Sequence, residues 1–181
     1  MTNHNPQTYT SAHAHIFLIG FMGCGKTYWG SRLAQHIGYV FVDLDHLIEQ
    51  TIGQTISEYF KENGETAFRL VEKQILQQAN FPTKAVISCG GGTPCFFDNM
   101  AWMNKNGITI YLHLPISVLA DRILQSETER PLTQGKNKEE LITFIENKMK
   151  ERESFYLQAQ HQLEGLNLNL NQWNKLLKFN L

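Results

Sequence analysis

The sequence has few cysteines, and none of them form a CxxC pair. Cys24, Cys89 and Cys95 are odd in number, so they indicate neither a disulfide framework nor a structural zinc site. Long apolar runs are also missing, because Ile16–Gly25 is far shorter than the roughly 20 residues that a membrane span requires. These two absences favour a cytoplasmic protein without a membrane segment.

An excess of charge of either sign is absent as well. The chain has 16 Lys and Arg residues against 17 Asp and Glu residues, a formal net charge of −1. No broad positive field is therefore available for nucleic acid or anionic lipid, and any anion site must be local. The range Met1–His15 lacks the basic start and apolar run of a secretion signal, and we expect residues 1–14 to form a disordered tail.

Length and composition indicate one globular domain. The 181 residues are 42% apolar and 18% charged, values that exclude a disordered, collagen-like or coiled-coil chain. Short apolar runs alternate with longer segments of helical periodicity, as in a parallel sheet covered by crossover helices. The predicted strands are Ile16–Gly20, Tyr39–Asp43, Ala85–Cys89, Ile108–His113 and His161–Leu166.

Five segments have helical character, and one polar segment does not. In the third helix, Phe68 and Val71 fall on the apolar face, while Arg69 and Glu72 fall mostly on the opposite one. The polar segment Ser126–Glu140 contains Pro, Gly and mixed charges, so we expect a surface loop that acts as a lid. The predicted helices are Lys26–Ile37, Thr55–Asn63, Glu65–Ala79, Leu141–Gln158 and Asn171–Asn180.

A phosphate-binding motif is the strongest pattern, because Gly20–Thr27 reads GFMGCGKT and matches GxxxxGK[ST] between a predicted strand and a predicted helix. Backbone N–H groups and the helix N-terminus can hold phosphates there, Lys26 reaches the β- and γ-phosphates, and Thr27 can ligate Mg²⁺. A chance glycine turn is the alternative. For Cys24 we predict no catalytic role, because Ser or Ala fills a small loop position equally well.

Two further motifs lie at the predicted carboxyl edge of the sheet, where ligands bind in open α/β proteins. Asp43 and Asp45 are two residues apart, so extended structure places both carboxylates on one face, to serve a metal's water shell and a substrate hydroxyl. A helix-capping Asp is the alternative. The loop Gly90–Gly92 follows the next strand, and its bare N–H groups can approach an anion, with a plain tight turn as the alternative.

Three arginines complete the set of candidate site residues. Taken singly, Arg130 and Arg152 are expected to face solvent. Arg69 is ambiguous, because Glu65 and Glu72 lie at helical pairing distance and pairing with them on a solvated face is the alternative. Taken together with the motifs above, the three arginines are natural bidentate partners for an acidic group on an acceptor. The chemistry implied is phosphoryl transfer from a nucleoside triphosphate to a small anionic molecule.

The motifs follow one another in the order GFMGCGKT, FVDLD, AFR, SCGGG, ERPL and RESFY. With these motifs in this order, the chain resembles the shikimate kinase family from about residue 15 to residue 159. Asp43, Asp45 and Arg69 lie 17, 19 and 43 residues after Lys26, intervals that match the family pattern without a gap. The resemblance implies ATP-dependent phosphorylation of the 3-hydroxyl of shikimate, with Mg²⁺, in aromatic amino acid biosynthesis.

The resemblance also implies a fold and a division of the chain. The expected fold is a three-layer α/β/α P-loop kinase with a five-stranded parallel sheet in the order 2-3-1-4-5. A single domain, residues 1–181, would contain an acceptor-binding helical region at 45–79 and a lid at 126–140. The expected protein is a cytoplasmic monomer whose partners are small molecules, not nucleic acid or membrane.

Individual residues receive roles by the same resemblance. Lys26, Asp45 and Arg130 are expected to be catalytic, with Arg130 moving from the lid onto the transferred phosphate. Phe60 and Phe68 resemble the aromatic wall of the acceptor pocket, with plain core packing as the alternative. The expected nucleotide ligands are Gly23, Cys24, Gly25, Lys26, Thr27, Tyr28, Arg122 and Arg130. The expected acceptor ligands are Asp45, Phe60, Phe68, Arg69, Gly90, Gly91, Gly92 and Arg152, and the expected metal ligands are Thr27 and Asp43.

Three other functions stay open. A gluconate kinase is the main enzyme alternative, although the glycine loop, the arginines and the aspartate pair favour shikimate. A nucleoside monophosphate kinase is disfavoured by a short middle segment without signals for reading a second base. A regulatory nucleotide-binding module is disfavoured by the presence of Lys26, Thr27, Asp45 and Arg130.

Overall fold

The computed structural model describes residues 15–126, 133 and 135–177. Its strands are β1 (His15–Ile19), β2 (Val40–Asp43), β3 (Ala85–Ser88), β4 (Gly107–His113) and β5 (His161–Glu164). They form one parallel sheet in the order β2-β3-β1-β4-β5, which confirms the predicted topology. The predicted strands begin and end within two residues of the observed ones.

Helices connect the strands, as a parallel sheet requires. They are α1 (Lys26–Ile37), α2 (Leu44–Ile52), α3 (Ile56–Gln78), α4 (Asn99–Asn106), α5 (Ile116–Leu124), α6 (Lys138–Tyr156) and α7 (Leu170–Leu177). The sequence predicted α1 with its observed bounds but did not predict α2, α4 or α5, which have eight or nine residues each. Among the described residues, no helix is both long enough and apolar enough to cross a membrane.

The long helix α3 contains one break, at Gly64. This residue has φ 79° and ψ 172°, a conformation that is nearly confined to glycine. The break separates the two helices that the sequence predicted here. The first of them starts with a capping box, in which Thr55 accepts from the Glu58 N–H and the Glu58 side chain bonds the Thr55 N–H.

Two apolar cores lie on the two faces of the sheet, giving the three-layer arrangement. One core packs α1, α5 and α7 against β1 and β4, and the other packs α2, α3 and α4 against β1 and β3. The helix α6 joins both, because Leu141 and Ile145 belong to the first core and Tyr156 to the second. The C-terminal part of α6 therefore lies on the same side of the sheet as α2 and α3.

The strand register places the candidate site at one edge of the sheet. Asp43, the last residue of β2, pairs with Ser88, the last residue of β3, and Ser88 also pairs with Leu18 of β1. Because the strands are parallel, the segments that follow them leave the sheet side by side. The phosphate-binding loop, the aspartate pair and the glycine loop are those segments.

Candidate active site

The phosphate-binding loop turns into α1 at Gly25, whose φ of 98° lies in the left-handed region that glycine adopts without strain. No side chain in the described part of the protein caps α1, so its first N–H groups are available to an anion. Lys26 Nζ donates to the carbonyls of Gly20 at 2.8 Å and of Phe21 at 3.0 Å. The strand, loop and helix have the arrangement that the motif predicts.

Thr27 and Asp43 meet at the start of α1 and the end of β2. Thr27 Oγ1 donates to Asp43 Oδ2 at 2.9 Å. The other carboxylate oxygen of Asp43 accepts from the N–H groups of Asp45 at 3.2 Å and His46 at 3.4 Å. Asp43 therefore caps α2, which is the helix-capping role given above as the alternative. It also presents an oxygen beside the Thr27 hydroxyl.

Asp45 does not lie on a strand, so the prediction that extended structure aligns the two carboxylates is wrong. The cap formed by Asp43 starts α2 at once, and Asp45 occupies the first turn of that helix. The residue as a whole is exposed to solvent, whereas its Oδ1 lies against Gly90, where an added Cβ would stand 2.7 Å away. The carboxylate therefore faces the glycine loop.

The pKa of Asp45 is raised to about 6. The main cause is the burial of its carboxylate among protein atoms, the negative charges of Asp43 and Glu72 add to it, and the charge of Lys26 opposes it. A carboxylate with a pKa near neutrality is suited to accept a proton from a reacting hydroxyl. Asp45 is therefore the candidate general base of this site.

Arg69 is buried, with 8% of the residue exposed, so the alternative of a pair on a solvated face is wrong. Its guanidinium donates to Glu72 at 2.8 Å and to Glu65 at 3.1 and 3.3 Å. Pairing with both carboxylates was foreseen, but Glu72 is also buried. The glycine loop covers this face of α3, because an added Cβ on Gly92 would stand 2.5 Å from Arg69 Nη2.

Three aromatic rings surround the Arg69 guanidinium. Its Cζ lies 5.7 Å from the ring centroid of Phe60, 5.1 Å from that of Phe68 and 4.4 Å from that of Phe96. These distances allow cation–π contact. Phe68 also belongs to the core, and Phe60 is half-buried with its ring 4.4 Å from that of Phe68. Phe68 therefore both lines the site and packs in the core. The contact of Phe96 with Arg69 was not predicted.

Glu72 and Thr93 are part of the site although sequence reasoning missed them. Glu72 Oε1 accepts from Thr93 Oγ1 at 2.6 Å, while Glu72 Oε2 accepts from Arg69. Thr93 is fully buried, and its carbonyl accepts from Asn99 Nδ2 at 3.0 Å. The spacing of Glu72 three residues after Arg69 was the available signal, but it was assigned to a surface pair.

The glycine loop 90–92 turns its carbonyls towards protein donors. The bonds are Thr93 N to Gly90 O at 3.1 Å, Tyr156 Oη to Gly91 O at 2.5 Å and Cys95 N to Gly92 O at 2.8 Å. In the described part of the chain, the N–H groups of these three glycines have no hydrogen-bond acceptor. Three unpaired N–H groups on one loop are more than a plain tight turn requires and suit an anion.

Arg152 is also buried, with 9% of the residue exposed, which contradicts its expected position in solvent. Its Nη1 lies 3.6 Å from the position of a Cβ on Gly91, and its Cζ lies 5.8 Å from the ring centroid of Phe21. Among the described residues, no carboxylate comes within 4.0 Å of this guanidinium. A buried cation without a counter-ion favours an anionic ligand at this point.

Each glycine of the loop thus adjoins one expected acceptor ligand. Gly90 adjoins Asp45, Gly91 adjoins Arg152, and Gly92 adjoins Arg69. The carboxylate comes from α2 and the two guanidinium groups come from α3 and α6, and α6 lies far from the other two helices in the chain. The loop brings these three side chains together. The sequence predicted that the three residues act together but did not predict how they are arranged.

The remaining expected nucleotide ligands lie in different surroundings. Arg122 Nη1 lies 3.4 Å from the carbonyl oxygen of Gly23, beside the phosphate-binding loop. Tyr28 is 57% exposed and its hydroxyl accepts from Arg32 at 3.1 Å, so its side chain faces solvent. Arg130, with residues 127–132 and 134 of the predicted lid, lies outside the described residues, and the last three residues of that predicted loop belong to α6 instead.

Thr27 and Asp43 are the candidates for holding a metal ion. Within the described residues, no group of three His, Cys, Asp or Glu side chains could do so. Mg²⁺ commonly takes one or two protein oxygens and completes its shell with phosphate oxygens and water. The Thr27 hydroxyl and the Asp43 carboxylate, 2.9 Å apart beside the phosphate-binding loop, are a donor set of that kind.

The chain is similar in sequence to a known family. A family model described as shikimate kinase matches residues 22–175. The shikimate kinase of Bacteroides fragilis is 44% identical over 146 residues, which cover 81% of this chain and 82% of that protein. The shikimate kinase of Bacteroides thetaiotaomicron is 42% identical over 146 residues, which cover 81% and 83%.

Solved structures agree with the sequence comparison. A crystal structure of shikimate kinase from Bacteroides thetaiotaomicron matches with a TM-score of 0.85 and 38% identity, covering 91% of this chain and 98% of that one. Shikimate kinase from Acinetobacter baumannii, solved in complex with shikimate, matches with a TM-score of 0.77 and 30% identity, covering 92% of each chain. Both neighbours carry the same name as the matching family.

Proposed function

The chain belongs to the shikimate kinase family, and from this membership we propose how its site residues carry out the transfer. The reaction is the ATP-dependent phosphorylation of shikimate, a step of aromatic amino acid biosynthesis. The observation that supports the proposal most directly is the contact of each loop glycine with one acceptor ligand. A hydroxyl-activating carboxylate and two guanidinium groups then surround one anionic, hydroxylated molecule.

The phosphate-binding loop holds the triphosphate of ATP. Backbone N–H groups at the start of α1 and the ammonium group of Lys26 neutralise the phosphate oxygens, which is the main task of protein in phosphoryl transfer. To reach a phosphate, Lys26 exchanges its bonds to the carbonyls of Gly20 and Phe21. Arg122 lies beside this loop and is assigned to the nucleotide, as are the backbones of Gly23, Cys24, Gly25 and Tyr28.

Thr27 and Asp43 would hold Mg²⁺, the hydroxyl as a direct ligand and one carboxylate oxygen through water. The second Asp43 oxygen keeps α2 in place. When bound, the ion neutralises charge on the β- and γ-phosphates. Asp43 thereby fixes the position of Asp45 relative to the nucleotide, since both the metal site and the cap use the same carboxylate.

The acceptor is held through its carboxylate and its ring hydroxyls. The carboxylate is bound by Arg69, Arg152 and the N–H groups of Gly90–Gly92. The loop N–H groups have no acceptor within the described residues, and Arg69 has N–H groups left beyond its bond to Glu72. Phe60 and Phe68 form one wall of the pocket, within the acceptor-binding region 45–79. Asp45 binds ring hydroxyls and accepts the proton of the 3-hydroxyl. The oxygen of that hydroxyl attacks the γ-phosphorus, and the bond from this phosphorus to the β-phosphate oxygen breaks and releases ADP.

The remaining assignments rest on sequence and chemistry. Arg130 is assigned to the transferred phosphate, residues 126–137 are assigned to a lid, and the whole chain is assigned to one domain. The three free cysteines suit a reducing cytoplasm, and we assign the protein there. The complete set of site residues in one chain supports action as a monomer.

An ADP-release assay tests this assignment. Purified protein with Mg·ATP is given shikimate, gluconate, a nucleoside monophosphate or no acceptor, in parallel reactions. We expect ADP release to depend on shikimate alone. Release with gluconate would overturn the roles of the two arginines, and release with none of the acceptors despite ATP binding would support a regulatory module instead.

A further inference from the structure

A phenol contact controls the geometry of the glycine loop. Tyr156 is fully buried, and its Oη donates to the carbonyl oxygen of Gly91 at 2.5 Å. Its ring centroid lies 5.1 Å from that of Tyr111, so the side chain is packed on that side. Burial raises the pKa of Tyr156, so the phenol keeps its proton and remains a donor.

Within the described residues, the carbonyl oxygen of Gly91 accepts a hydrogen bond from the Tyr156 hydroxyl and from no other donor. The described chain has no cis peptide bonds, so the C=O of Gly91 and the N–H of Gly92 point in opposite directions from one peptide plane. Fixing the carbonyl on the phenol therefore fixes the direction of the Gly92 N–H, which has no protein acceptor of its own there.

One helix supplies both this contact and a carboxylate-binding arginine. Arg152 and Tyr156 are four residues apart on α6, and side chains with this spacing lie on the same helix face. Arg152 Nη1 and Tyr156 Oη both reach Gly91, at its Cα side and at its carbonyl oxygen. The C-terminal turn of α6 thus holds the loop and the guanidinium in one arrangement.

We infer that Tyr156 is a positioning residue for the acceptor carboxylate: it orients the Gly91–Gly92 peptide and ties the loop to the helix that carries Arg152. The inference rests on the proposed function, because it assumes that the loop N–H groups bind that carboxylate. It assigns no direct substrate contact to Tyr156.

The test is Tyr156→Phe, which removes only the hydroxyl. We expect the KM for shikimate to rise about tenfold, because the Gly91–Gly92 peptide is no longer held in the binding orientation and binding must then fix it, with kcat and the KM for ATP little changed. Tyr111→Phe is the matched control, because Tyr111 is the stacked neighbour and its hydroxyl has no hydrogen bond in the described structure. It should leave all three constants unchanged.

The methyl ester of shikimate separates positioning from general structural support. It lacks the carboxylate charge, so Tyr156→Phe should raise its KM much less than that of shikimate. An unchanged KM for shikimate would overturn the inference, and so would equal effects on both acceptors or a parallel loss of ATP affinity. Wild-type protein that releases no ADP with shikimate would refute the proposed function instead.

A measurement on the wild-type protein covers the case in which Tyr156→Phe does not fold. The amide ¹H signal of Gly92 should shift when shikimate is added and should shift less when the methyl ester is added at equal saturation. A Gly92 signal that is insensitive to shikimate would overturn the inference without any variant.

Discussion

Glu72 Oε2 accepts a hydrogen bond from Arg69 Nη1 at 2.8 Å, in a pair of side chains that are both buried. Three of the five N–H groups of Arg69 are engaged by Glu65 and Glu72, which leaves two for a further anion. The same carboxylate of Glu72 raises the pKa of Asp45. One buried acid therefore acts on both Arg69 and Asp45, the residues that we assign to acceptor binding and to proton transfer.

Replacing Glu72 should shift the pH profile. In Glu72→Gln the negative charge that disfavours ionisation of Asp45 is gone, so the pKa of Asp45 falls and the acid limb of kcat/KM moves to lower pH. The profile is measured with saturating ATP. Glu65→Gln is the control, since Glu65 also bonds Arg69 but is not among the charges that act on Asp45. A limb that stays in place in Glu72→Gln would contradict this coupling.

Asp45 should limit activity in acid. With its pKa at about 6, kcat/KM for shikimate is expected to fall about tenfold per pH unit below that value, because the protonated carboxyl cannot accept the hydroxyl proton. Asp45→Asn should lose most turnover while ATP binding, followed by calorimetry, stays intact. Equal loss of ATP affinity would point to misfolding.

Asp45→Asn should also change stability in a pH-dependent way. The pKa of Asp45 is raised from 3.8 in the reference state to about 6 in the folded protein, so ionised Asp45 disfavours folding above about pH 6 and has no such effect below 3.8. The variant should therefore unfold at a higher temperature than wild type near neutral pH. Thermal unfolding followed by circular dichroism should find this difference shrinking towards about pH 4.

Gly92→Ala should weaken acceptor binding through a steric clash. Its Cβ would stand 2.5–2.7 Å from three atoms of the Arg69 guanidinium, which must then move. We expect at least about a tenfold rise in the KM for shikimate, as for one lost charged hydrogen bond, with the KM for ATP unchanged. Gly91→Ala is the comparison, since its Cβ would make ordinary contacts at 3.5–3.6 Å. Equal effects of the two variants would refute the steric argument.

Thr27 should set the magnesium requirement. Thr27→Val keeps the side-chain shape but removes the hydroxyl oxygen, so activity should require more Mg²⁺ and fall about tenfold or more at limiting concentrations. Thr27→Ser keeps the oxygen and should stay close to wild type. Magnesium titrations of the three proteins make the comparison, and identical curves would exclude Thr27 as a ligand.

Arg130→Ala should lower turnover by about 10³ or more, the effect of losing an arginine that stabilises the transferred phosphate. Arg32→Ala is the control, because Arg32 is exposed and bonds the Tyr28 hydroxyl. Steady-state rates at saturating substrates give the answer. Near-normal turnover of Arg130→Ala would remove this role.

Much of the fold could be predicted from local sequence patterns. The bounds of α1 and the break at Gly64 were predicted because a strand, a glycine-rich turn and a helix start are signalled by neighbouring residues. The helices α4 and α5 were missed, since eight or nine residues give little periodicity to read. The helix α2 was missed because Asp43 ends the strand and caps the helix with the same carboxylate.

Burial of charge was the part that the sequence did not reveal. Arg69 and Glu72 were placed on a solvated face because charged residues on an amphipathic helix usually face water. They are buried because the glycine loop, 18 to 23 positions further along the chain, lies across them. Arg152 is buried for a similar reason, through Gly91 and Phe21. Such contacts depend on tertiary packing, which no local pattern encodes.

The break at Gly64 lies between the two aromatic residues of the pocket wall. Phe60 precedes it and Phe68 follows it, and their rings touch at 4.4 Å across it. The break therefore bends α3 between the part that carries Phe60 and the part that carries Arg69, and the ring contact joins the two parts. One pair of glycine torsions and one aromatic contact thus set the direction of the Phe60 segment relative to the Arg69 segment.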